Sequence, residues 1–150
     1  MDLITGLFDL DFASLMPEMG ALLSAIQPIL SAVLLAAPLI MLVLGTLYLF
    51  LAPPEANYKF GHRTHFGMGS VEAWRFTQKV AGLAYCGIGV ILLIAMVIVI
   101  FSFAGKDFFQ MAETAITCLL WQVGIVLLAQ LVIAVVVGVF FTASGERRRE

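Results

Sequence analysis

Three stretches of this chain run without a single Asp, Glu, Lys or Arg: residues 19–53, 80–105 and 114–145. Each exceeds the roughly 20 residues that a helix needs to cross about 30 Å of hydrocarbon. A backbone crossing lipid finds no water to bond, so every amide must be satisfied internally, which makes these runs helices and not strands. The first run is over-long and carries Pro28 and Pro38. Its membrane core is expected at residues 29–51, with a kink near Pro38, where the missing amide removes one rung of the helix. The pattern predicts an all-α integral membrane protein with three transmembrane helices in a single membrane domain. Its parts are an interfacial segment (1–18), a first span (19–52), a polar loop (53–79), a second span (80–105), a third span (114–143) and a basic tail (144–150).

Composition agrees with that class. At 62% hydrophobic and 12% charged residues, with a mean hydropathy of +1.06, a soluble domain of 150 residues is excluded. The net charge of −2 lacks the basic excess of a nucleic-acid-binding protein. The N-terminus carries Asp2, Asp9, Asp11 and Glu18, and no Lys or Arg precedes Lys59, so it lacks the basic start of a secretory signal and is expected to be retained. Leu3, Ile4, Leu7, Phe8, Leu10, Phe12, Leu15 and Met16 interleave with those acids, as in a short amphipathic segment lying on a membrane surface.

Charge asymmetry sets the expected orientation. Lys59, Arg63, Arg75 and Lys79 lie between the first two spans and Arg147, Arg148 and Arg149 follow the third, whereas the second loop has only Lys106. The positive-inside rule then places the N-terminus outside, and the C-terminus and the 53–79 loop in the cytoplasm. Cys86 and Cys118 fall toward opposite ends of their spans, too far apart for a disulfide.

The polar loop concentrates the chemistry, including both histidines. Pro53-Pro54 is expected to stop the first helix and set an extended exit. Gly61, Gly67 and Gly69 permit turns that fold the loop back under the bundle. Ser70 suits an N-cap, and Glu72 the positive end of a helix that starts at Val71 and runs into the second span. Trp74, Phe76, Tyr58, Phe60 and Phe66 suit the headgroup level.

These residues carry a resemblance. Pro53-Pro54, Asn57, Gly61, Arg63 and Thr64, followed after a short spacer by Glu72, Trp74 and Gln78, resemble the signature of the SdpI family, small multi-span membrane proteins named for immunity to a secreted toxin peptide. His62 stands where the family usually has an aromatic residue, and Thr77 where a small residue is common. The resemblance implies a multi-pass protein of the bacterial cytoplasmic membrane that binds, or protects against, a membrane-active peptide, with signalling through the loop to a cytoplasmic regulator as a further expectation. Asn57, Gly61, Arg63, Thr64, Glu72, Trp74 and Gln78 are then the candidate ligand- or partner-binding residues, with Pro53 and Pro54 as structural signature.

Two other classes compete with that reading: a small oligomeric transporter or channel, and a membrane enzyme acting on lipid headgroups. Arg63, beside a glycine turn, can make forked bonds to a phosphate or carboxylate, or can tie the loop to Glu72 or to the open carbonyls of the first helix. Asn57 reads first as a turn residue and Trp74 as a packing or interface residue. His62 and His65 with Glu72 are an incomplete metal set, so no metal or other cofactor is expected. No nucleophile with its base and orienting group is evident, so no catalytic residue is assigned. Gln122 and Gln130 read as interhelical hydrogen-bonding residues, and no carboxylate lies within the spans to relay protons. Gly82, Cys86, Gly87 and Gly89 suit close packing within the bundle, with homodimerisation as a second use.

Overall fold

The computed structural model describes residues 12–57 and 59–148, with the backbone alone for residues 12–24. Among the described residues three helices make up the fold: α1 (Phe12–Phe50), α2 (Val71–Phe101) and α3 (Phe108–Phe140). All three are long and apolar enough to span a membrane, over Ala25–Phe50, Val71–Phe101 and Phe108–Phe140. No strand occurs among the described residues, and the protein is an all-helical multi-pass membrane protein. Residues 1–11 of the expected surface segment lie outside the described residues. From Phe12 the chain is helical and continuous with the first span, through Pro17, Pro28 and Pro38.

Local chemistry explains the helix boundaries. The Ser70 side chain accepts from the Ala73 amide at 3.1 Å, so α2 begins at Val71 and runs unbroken into the second span. Asp107 and Gln110 form a reciprocal capping box that starts α3 immediately after a turn at Gly105, where φ is +80°. In that turn Lys106 Nζ donates to Ser102 Oγ and Thr114 Oγ1.

The interior has two apolar centres. Met41, Ala81, Tyr85, Leu92, Ile133 and Val137 pack in one, toward the polar loop, and Leu34, Met96, Phe103, Met111 and Ala115 in the other. Helices α1 and α2 share the largest interface. Small residues make it possible: Gly45 lies against Cys86, Gly82 against Leu49, and Gly89 against Leu42, whereas Gly87 faces open space. Three of the four small residues singled out in α2 thus serve packing within the bundle. Both cysteines are free. The lateral surface, including Leu83, Ile91, Ile98, Leu120, Leu127 and Leu131, is apolar and outward-facing, as suits helices of this length in a membrane.

Proline 38 is fully buried in α1 and has no amide to give to the carbonyl one turn earlier, that of Leu34. Gln122 of α3 fills the vacancy, its Nε2 donating to Leu34 O at 3.1 Å. An interhelical bond thus replaces the missing rung, and Gln122 Oε1 has no partner among the described residues.

Candidate functional site: the polar loop beneath the bundle

The loop after α1 is held against the start of α2 by side chains that satisfy its backbone. Trp74, with no exposed surface, donates its indole N–H to Pro53 O at 2.8 Å, and Arg75 Nε donates to Pro54 O at 3.2 Å. The two prolines cannot propagate α1, and their carbonyls are used to fasten the chain one helix away. Asn57 Oδ1 accepts from the amides of Lys59 and Phe60, both at 2.9 Å, closing a turn in the manner of a helix cap. Farther along, the Gln78 amide grips His62 on both sides. His62 N donates to Gln78 Oε1 at 2.8 Å, and Gln78 Nε2 donates to His62 O at 2.7 Å. Thr64 Oγ1 accepts from Gly67 N at 2.9 Å.

Gly61 makes this folding possible. Its φ is +120°, and a Cβ there would lie 2.5 Å from the Trp74 ring, so the glycine is required by both conformation and space. The loop also reaches the end of the chain. Ser70 Oγ donates to Gly145 O at 2.7 Å, and Gly69 abuts Gly145 backbone to backbone, which leaves no room for a side chain at either position. This clasp puts the loop, the start of α2 and the C-terminal turn on one face of the bundle, with Phe141 bridged to Arg147 across the turn.

Within this frame the two histidines part. His65 is exposed beside Phe66, whereas His62 is buried, its ring set edge-on against Tyr48 of α1 and Tyr85 of α2. His62 Nδ1 lies 3.4 Å from Tyr85 OH, which in turn accepts from Gln130 Nε2 of α3. A polar column thus descends from the loop into the bundle through one residue of each of the last two helices. Burial pushes the His62 pKa below its ordinary value, because an imidazolium there would lose hydration.

The loop and its helices match a family model. It is the model of the SdpI/YfhL protein family, and the match runs over residues 54–142. The chain belongs to that family. No curated protein and no solved structure matches it.

The SdpI/YfhL match begins at Pro54, covers the rest of the loop and continues through α2 and α3. It therefore reaches beyond the segment carrying the resemblance in the sequence, and it leaves Pro53 one residue outside. Within the matched loop, the candidate residues divide by placement. Asn57, Gly61, Thr64, Trp74 and Gln78 are all engaged in holding the loop, through the bonds and contacts above. Glu72 sits in the first turn of α2 and pairs across the surface with Arg147 at 3.7 Å, both side chains about two-thirds exposed, which gives the pair little energy. Arg63 is exposed between two buried neighbours, His62 and Thr64. Two participants are absent from the candidate list. Tyr48 and Tyr85 lie within apolar spans, and the only trace of their role in the sequence is a hydroxyl on an otherwise apolar helix near the loop.

Proposed function

We propose that this protein is an SdpI-like immunity or sensing protein, binding or guarding the membrane against a membrane-active peptide, with Arg63 as the residue presented to the ligand. The observation that carries the reading is the position of Arg63 in the fastened loop. Asn57, Thr64, Trp74 and Gln78 hold the loop in a fixed fold, and in that fold Arg63 lies on the outer surface between buried His62 and Thr64. A guanidinium at an exposed position of a rigid loop suits two-pronged recognition of a carboxylate or phosphate. Family membership supports the peptide class. The gathering of basic residues on the loop face supports a cytoplasmic position for it in a bacterial inner membrane, where a regulator could read the same surface.

Expression in a peptide-sensitive bacterium tests this. The wild type is expected to raise tolerance to a membrane-active peptide by about tenfold or more, the worth of about one charge-assisted hydrogen bond. Arg63→Lys is expected to lose nearly as much protection as Arg63→Ala, because the fork and not the charge is used. Membrane levels of each variant are measured in parallel. Full protection by the lysine variant would reduce Arg63 to an electrostatic anchor. Solute flux in liposomes that depends on Arg63, without protection against any peptide, would move the protein to the transporter class, and phospholipid hydrolysis to the enzyme class.

A further inference from the structure

A groove of about 460 Å³ opens on the loop face between the first turns of α2 and the end of α3. Arg75, Lys79 and Arg147 line it together with one carboxylate, Glu72, and Phe76 and Phe140 provide apolar walls. A neighbouring hollow shares Glu72, Phe140 and Arg147 and extends to Val139, Glu146 and Arg148, where one added cation and one added carboxylate offset each other. Its position is set by the helices. Lys79 immediately precedes the uncharged run of α2, and Phe140 ends the apolar run of α3, so the groove lies where hydrocarbon gives way to headgroups.

The two kinds of lining demand an occupant with two kinds of surface. Arg75 and Lys79 stand one turn apart on the same side of α2, and the bond from Arg75 Nε to Pro54 O fixes the guanidinium in place. Arg147 reaches the same space from the C-terminal turn, held loosely by its exposed pair with Glu72. Within the groove three cations stand against one carboxylate, a balance that calls for an anion. Phe140 and Val139 are exposed, and they lead from the cations directly onto the lipid-facing side of α3. A soluble phosphate would leave that apolar path unused, and a zwitterionic lipid would bring its own cation to a site already rich in them.

We propose that this groove binds an anionic glycerophospholipid of the surrounding leaflet, its phosphodiester held by Arg75, Lys79 and Arg147 and one acyl chain laid along Phe140 and Val139. The site is separate from Arg63 and does not depend on the peptide reading. Native mass spectrometry of the purified full chain with equal amounts of phosphatidylglycerol and phosphatidylcholine reads it directly. The wild type retains phosphatidylglycerol in preference, and added salt lowers that preference. Lys79→Gln with Arg147→Gln leaves the Trp74, Arg75 and Gln78 bonds to the loop intact, and is expected to cut the preference by about fivefold per cation removed. The thermal midpoint in phosphatidylcholine nanodiscs checks that the variant is folded, and the salt response of the wild type gives a reading that needs no variant. Equal retention of the two lipids by the wild type, or an unchanged preference in the folded variant, would overturn the proposal. Glycerol phosphate stabilising the wild type as much as phosphatidylglycerol would also overturn it, in favour of a soluble phosphate ester.

Discussion

His62 occupies a position that disfavours a proton. Tyr48 approaches it from α1 and Tyr85 from α2, Gln130 of α3 acts through Tyr85, and Arg63, next to it in the chain, is itself positive. Gln130 donates to Tyr85, so the tyrosine proton is available to donate to Nδ1 of a neutral imidazole; an imidazolium would place a second donor there. Because the folded pKa lies below the ordinary 6.5, the unfolded chain takes up a proton first as the pH falls. Stability is therefore fully present above about pH 6.5 and lost below it, at up to about 1.4 kcal/mol per pH unit until the folded value is reached. Thermal midpoints in nanodiscs are expected to fall between pH 7.5 and 5.5, and His62→Phe should flatten the decline. An equal decline in that variant would place the acid sensitivity elsewhere. The sequence presents His62 and His65 as a pair, and only burial distinguishes them.

Among the elements, α1 shows how a helix defect becomes an interhelical contact. Pro38 and Gln122 are remote in sequence, and each is legible alone: the proline as a missing rung, the glutamine as a polar side chain seeking a partner in lipid. Their meeting at Leu34 O depends on how α1 and α3 are rotated against each other. Gln122→Leu is expected to cost about 0.5–1.5 kcal/mol, the range for hydrogen bonds between membrane helices. In a Pro38→Ala background the alanine amide restores the intrahelical rung, so the same leucine substitution should cost much less. Unfolding free energies of the two single variants and the double variant close this cycle. An equal cost in both backgrounds would mean that Gln122 does not serve the proline vacancy. Helix starts are more transparent, since Ser70 and Asp107 cap α2 and α3 through bonds spanning three residues, within reach of a sequence window.

For the whole molecule, the charge pattern and the packing agree on one polar face. The Ser70 to Gly145 bond joins the loop to the C-terminal turn, so Lys59, Arg63, Arg75, Lys79, Arg147 and Arg148 gather at one end of the bundle, with Lys106 in the turn at the other. Single cysteines at positions 56 and 107, in a chain with Cys86 and Cys118 replaced, are therefore expected to label from opposite sides of intact cells. Position 56 should be protected from an impermeant external reagent. Labelling at that position from outside would invert the orientation and move the Arg63 surface out of the cytoplasm.

By itself the sequence determined what could be read from runs and short spacings. Uncharged stretches longer than the bilayer is thick imposed three helices, and Pro53-Pro54, Gly61 and Ser70 marked where the chain must leave, turn and re-enter helix. Side-chain placement around the bundle was another matter, because a helix that is apolar on every side carries no periodicity to say which face is inward. The tertiary structure decided that through steric fit at Gly45, Gly82 and Gly89, and through polar groups that needed partners out of water. His62 meets Tyr85 across 23 positions, Tyr85 meets Gln130 across 45, and Ser70 meets Gly145 across 75. Separations of that kind have no local signature, since the bonds exist only after the helices have packed.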